Sequence, residues 1–114
     1  MSTRSLIGIE NLDKSISYAY CHWDGYPEGV GKDIVGMDRN AARDLINNGD
    51  MSAVGEPYGG DDVVHRACGG IDEFRDARSD HGCDFAYYID LTGVWRFFTH
   101  GLSRGASLRE ELGI

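Results

Sequence analysis

The residues best suited to chemistry gather in three places. The first is Tyr20-Cys21-His22-Trp23-Asp24-Gly25-Tyr26-Pro27-Glu28-Gly29-Val30-Gly31. Aromatic rings beside carboxylates suit recognition, because the rings give rigid apolar area and the acids can meet Arg or Lys on a partner. Pro27 and the glycines fix the loop shape and lower its ordering cost on binding. Tyr20, His22, Trp23, Asp24, Tyr26 and Glu28 are therefore candidate partner-binding residues. The alternative is structural: Trp23 and Tyr26 plug the end of the core while Asp24 closes a turn.

The second place is His65-x-x-Cys68 with His81-x-Cys83. Two imidazoles and two thiolates are the ligand set of a structural zinc site. Gly69-Gly70 and Gly82 would allow sharp turns between the ligands. Neither pair is Cys-x-x-Cys, the stronger zinc signal. Free buried cysteines, with Asp80 and Asp84 in a solvated acidic loop, are the competing reading. The cysteine count of three, Cys21 included, is odd, which argues against a disulfide framework.

The third place is the charge. The 114 residues carry a net −8. From Glu56 to Asp90 nine acids face only Arg66, Arg75 and Arg78, so this stretch holds six of those eight charges. Asp72, Glu73 and Asp76 mark its centre and join the candidate partner-binding residues. Such a surface can steer association with a basic partner, or it can serve solubility alone. The balance argues against direct nucleic-acid binding, which needs cations to displace phosphate counterions. It argues equally against an anionic membrane surface.

Catalysis finds less support. Cys21 and His22 are sequence neighbours on an expected strand, so they point to opposite faces and cannot form a dyad. The other pairings of Cys21 or Cys83 with His22, His65, His81 or His100 would have to form across the fold. Gly25-x-x-x-Gly29-x-Gly31 lacks the Lys-Ser/Thr of a phosphate-binding loop. The expectation is a protein without catalytic residues, not an enzyme.

These groups need elements to hold them. Residues 4–11 and 15–23 read as two strands joined by Asn11-Leu12-Asp13-Lys14. Ile16, Tyr18, Tyr20 and His22 alternate with Ser17, Ala19, Cys21 and Trp23. The spacing predicts a helix over 38–48 with Asp38 as its cap and Asn48-Gly49 as its stop. A shorter helical turn is expected over 33–37. Residues 24–31 and 55–62 read as loops, 63–66 as a short strand, and 71–79 as an amphipathic helix. Phe85, Tyr87 and Ile89 alternate with Ala86, Tyr88 and Asp90, and residues 94–99 return after Leu91-Thr92-Gly93, which predicts a hairpin over 84–90/94–99. Residues 107–112 suit one or two helical turns. The expected fold is one α+β domain over 1–114. Hairpins build an antiparallel sheet, and two or three short helices cover one of its faces. No stretch reads as a membrane span or a signal peptide.

Thr3-Arg4-Ser5, Ile7-Gly8-Ile9-Glu10-Asn11 and the Tyr20–Gly31 segment resemble a group of small proteins encoded by bacteriophages and prophages. Leu45-Ile46, Gly49-Asp50-Met51-Ser52, Gly55-Glu56, Phe85-Ala86-Tyr87 and Gly93-Val94-Trp95 are similar to the same group. Residues 58–83 depart from it. The resemblance implies a phage origin, a place in the host cytoplasm and no particular mechanism. By association with other phage accessory proteins, it makes a stoichiometric, anti-CRISPR-like inhibitor of a host defence protein the leading expectation. The partner would be a host protein such as a basic nucleic-acid-binding effector, met by a monomer or homodimer. The alternatives are a small zinc-stabilised domain and a binder of a nucleotide or sugar in the aromatic loop.

Overall fold

In Ser5–Glu10 (β1) every residue is buried. A strand can be buried on both faces only at the centre of a covered sheet. The computed structural model describes residues 3–57, 63–101 and 105–114. It shows an α+β fold in which β1 lies between Ile16–Cys21 (β2) and, from the second hairpin, Phe85–Ile89 (β6). β1 and β2 are antiparallel, with Ser5 opposite Cys21 and Glu10 opposite Ile16. β6 and Trp95–Thr99 (β7) are antiparallel, with Phe85 opposite Thr99. Both expected hairpins therefore form.

The two hairpins join in parallel, Ser5 beside Phe85 and Ile9 beside Ile89. The sheet is thus mixed, where hairpins alone predict an antiparallel one. The cause is a helical crossover: Ile71–Asp80 (α3) carries the chain from Arg66–Cys68 (β5) back to the start of β6. β2 and Met51–Ala53 (β3) are also parallel, across Lys32–Ile34 (α1) and Arg39–Asn47 (α2). Glu56–Pro57 (β4) and Ala106–Ser107 (β8) extend the two edges, and Leu108–Leu112 (α4) follows.

The helices cover both faces rather than one. On one side Ile7, Ile9, Cys21, Tyr87 and Phe97 pack with Val30, Ile34, Ile46 and Leu108. On the other Leu6, Ile16, Tyr18, Tyr88 and Phe98 pack with Phe74 of α3. Burying a ring such as Phe74 favours folding by about 1.5–3 kcal/mol. Gly8 makes room for that ring, since a Cβ there would stand 3.1 Å from Phe74 Cζ and 2.9 Å from Ile16 Cγ2.

Local signals are used as expected at the helix ends. The Asp38 carboxylate accepts from Ala41 N at 2.8 Å and starts α2. The Ser107 hydroxyl accepts from Glu110 N and starts α4. The strand expected over 63–66 begins later, at Arg66, where pairing with Tyr18 of β2 becomes possible. The loop expected over 24–31 contains one π-helical turn, Pro27–Gly31, with Pro27 at its start. Residues 58–62 of the expected second loop lie outside the described residues. Arg39 donates to the carbonyls of Glu10 and Asp90 at 2.7 and 2.9 Å, tying the ends of the two central parallel strands together.

Candidate functional site

The aromatic loop leaves the sheet at the Ser5 end of β1. Its backbone is held from four directions. Trp23 N donates to Ser52 O at 2.9 Å and Gly25 N to Thr3 O at 2.8 Å. Val30 N donates to Asp24 O at 2.8 Å, closing the loop on itself. The buried Tyr87 hydroxyl donates to Gly25 O at 2.6 Å. Burial raises the pKa of that phenol, with the Glu28 and Glu111 carboxylates adding to the rise, so it stays a donor. Gly25 is required by contact: a Cβ there would stand 2.8 Å from Thr3 O. Asp24 takes φ +56 at the sharp bend.

This bracing leaves the rings outside. Trp23 is 49% exposed and Tyr26 40%. The core is closed instead by Pro27, Val30 and Gly31. Trp23 and Tyr26 are therefore not the plug that the structural alternative required. Tyr26 OH donates to Asp24 Oδ1 at 3.2 Å, which orients both. Tyr20 and His22, on the same side of β2, are half-buried and share a 2.8 Å hydrogen bond through Nδ1. The His22 ring meets Trp23 edge-on at 4.7 Å between centroids. Asp24 and Glu28 are exposed.

The structure separates this loop from the other expected binding residues. α3 begins at the Glu10 end, where Gly69, Asp72 and Glu73 lie near Glu10 and Lys14. The loop is at the Ser5 end, the length of β1 away, roughly 17 Å at ~3.3 Å per residue. α3 also packs on the opposite face of the sheet from Val30 of the loop, so Asp72, Glu73 and Asp76 do not share one surface with Trp23 and Tyr26. They also have work within the fold. Arg75 lies 3.3 Å from Asp72 and 3.9 Å from Asp76. The Glu73 carboxylate accepts from Gly69 N ahead of the helix. Asp90 accepts from Thr92 N, Val94 N and Arg96, so it belongs to the hairpin turn.

The four expected zinc ligands do not converge. His65 is exposed ahead of β5, and Cys68 lies opposite Ile16 at the Glu10 end. His81 Nε2 bonds to Tyr18 OH at 3.2 Å. Cys83 is buried under α3, with Arg78 donating to its carbonyl at 2.9 Å. Among the described residues no three His, Cys, Asp or Glu side chains come together in a way that could hold a metal ion. Burial pushes the Cys83 thiol up to about 12 and the Cys21 thiol up to about 11. Neither is a thiolate nucleophile at neutral pH.

Besides the open groove of about 460 Å³ between Glu10, Lys14 and Asp72, two cavities lie away from the aromatic loop. One of about 280 Å³ is bordered by Leu45, Asn48, Asp50, Met51, Glu56 and Pro57. A smaller one, about 140 Å³, lies under Tyr18, Ile46, His65 and Arg66. Neither is lined by Tyr20, Trp23 or Tyr26. Among the described residues no helix is long and apolar enough to cross a membrane.

Sequence reasoning missed the groups that α4 brings to the loop. Leu108 is fully buried against the π-helical turn, its Cδ1 3.0 Å from where a Cβ on Gly31 would be. That docking sets the exposed Glu111 beside the loop, where it and Glu28 act on the same Tyr87 phenol, while Glu110 acts on Arg96 of β7. No local signal ties residue 111 to residue 28.

Comparison with protein-family models, with curated proteins and with solved structures finds no match to this chain.

Proposed function

We propose that this chain is a non-enzymatic binding protein that docks a partner protein through the Trp23–Glu28 loop. The observation that carries the reading is the pairing of a fixed backbone with exposed rings: four hydrogen bonds brace the loop while Trp23 and Tyr26 remain outside the core. Solvent-facing aromatics add nothing to the core, yet a pre-ordered loop presents them at little entropic cost on binding. Thiols pushed up by burial and imidazoles engaged by tyrosines favour binding over nucleophilic chemistry. The resemblance to phage and prophage proteins supports a host partner, a defence protein inhibited by stoichiometric contact. An acidic surface would then compete for a basic nucleic-acid channel.

The test places a photo-crosslinking residue at Tyr26 and, separately, at Leu12, which is 90% exposed at the far end of the sheet. In host extract, the position-26 protein should form one discrete adduct that excess wild type suppresses and Trp23→Ala does not. Identical adducts from position 12, or suppression by Trp23→Ala as strong as by wild type, would remove the loop from the interface.

A further inference from the structure

Resting on the reading of the loop as a docking surface, we infer that its partner presents arginine or lysine side chains, and that Glu111 of α4 completes the surface with Asp24 and Glu28. The charges point that way. Asp24, Glu28, Asp33 and Glu111 stand exposed around the loop and the turns that follow it, against Lys32 and Arg109. Arg4, a further exposed cation at this end of the sheet, acts on Cys83 and so lies toward the α3 face. The ion pairs formed among the described residues lie elsewhere: Arg66 with Asp50, Arg75 with Asp72 and Asp76, Arg96 with Asp90, and His100 with Asp84.

The exposed rings give the same answer by different chemistry. The face of an indole or phenol attracts a guanidinium or ammonium group, and Arg stacks on it most often. The Tyr26 hydroxyl is turned to Asp24, which sets that ring and carboxylate side by side. Glu111 stands on a helix that is itself fixed. Leu108 anchors the helix, Ser107 caps its start, and Gly113 at φ +74 ends it. A flat acidic patch would attract cations without selecting them. Rings set among carboxylates favour a side chain with both a charge and a planar or methylene surface.

The experiment titrates the whole chain with an alternating Arg-Gly octapeptide and with its Lys and Glu analogues. It is read by calorimetry and by tryptophan emission, to which exposed Trp23 and buried Trp95 contribute. The Arg peptide should bind saturably, with affinity falling about tenfold between low and physiological salt. Trp23→Ala should weaken binding by about tenfold or more, and Glu28→Gln with Glu111→Gln by several-fold. Asp72→Asn with Asp76→Asn, an equal charge change on the helix that covers the other face of the sheet, should alter it less than about twofold. Equal losses from the two double variants, equal binding of the Glu analogue, or no binding of the Arg peptide would each overturn the inference. If the Arg peptide fails while the Tyr26 crosslink persists and needs Trp23, the docking loop stands and only the cationic partner falls. If the crosslink fails as well, both fall.

Discussion

Asp50 and Arg66 face each other across a gap in the sheet. The guanidinium donates to both carboxylate oxygens, at 3.1 and 2.7 Å. Oδ1 of Asp50 also accepts from the backbone N–H of Tyr20 at 3.0 Å. At this point the outer edge of β2 passes from β5, which pairs with residues 16–18, to β3, which meets Cys21. The carboxylate replaces the missing strand partner, and the arginine holds the carboxylate. Tyr20 leads directly into the aromatic loop, so the pair also fixes where that loop begins.

Asp50→Ala should therefore cost about 2–3 kcal/mol in urea unfolding, because it strands both donors. Arg66→Ala should cost less, and a double-mutant cycle should show coupling of about 1–2 kcal/mol. Strictly additive losses would mean that the two side chains do not support each other. Burial pushes the Asp50 carboxyl up, but Arg66 and the Tyr20 N–H outweigh it and hold the group below its ordinary 3.8. A carboxyl with a depressed folded pKa adds stability that is complete above its unfolded value and is lost as pH falls through the folded one. Stability should fall as pH drops through and below 3.8, and less steeply in Asp50→Asn.

The two hairpin turns have the same hydrogen bonds and different chemistry. Asn11 N donates to Ser15 O and Lys14 N to Asn11 O; Asp90 N donates to Val94 O and Gly93 N to Asp90 O. The left-handed residue is Gly93 at φ +84 in one and Lys14 at φ +75 in the other. A side chain in that region is strained, by roughly 1–2 kcal/mol. Lys14→Gly should gain up to about 1 kcal/mol after the unfolded-state entropy is subtracted, and Gly93→Ala should lose about 1 kcal/mol or more. Thermal melting of the two variants reads both signs.

The two tryptophans should separate binding from folding. Trp95 is 3% exposed and its Nε1 donates to Met37 O at 3.0 Å. Trp95→Ala should cost about 3–5 kcal/mol. Trp23→Ala should stay within about 0.5 kcal/mol of wild type in the same unfolding assay. A large loss at Trp23 would return that ring to the core.

The thiols should react in a fixed order. Cys21 and Cys83 are buried, and Cys68 is half-exposed. A thiol-specific reagent should modify one site quickly in the native protein and all three only on unfolding, with Cys68→Ser abolishing the fast phase. Fast reaction at Cys83 would contradict its place under α3.

The elements were largely legible from residues alone; how they assemble was not. Asp38 before an apolar stripe, and strand-like runs on either side of Leu91-Thr92-Gly93, are local signals, and they hold. The parallel join of β1 to β6 is not local, since α3 decides it. One clue to burial on both faces was present: Leu6-Ile7-Gly8-Ile9 and Phe85-Ala86-Tyr87-Tyr88-Ile89 are nearly continuous apolar runs rather than strict alternations. The loop was visible by composition, although its exposure was not. The Glu111 carboxylate was invisible as a neighbour of the loop because only the packing of Leu108 on Gly31 brings it there. The acidic 56–90 stretch is one run in sequence and several separate places in space.

The first strand of this chain is the middle strand of its sheet. During synthesis β1 can pair with β2 at once, but its other edge stays open until β6 has left the ribosome. Through that interval Leu6, Ile7 and Ile9 border an unpaired strand edge, the kind of template on which nascent chains aggregate or swap partners. The sheet is complete only once β6 and β7 are present, and a chain cut short of that hairpin would leave an adhesive fragment rather than a smaller version of the fold.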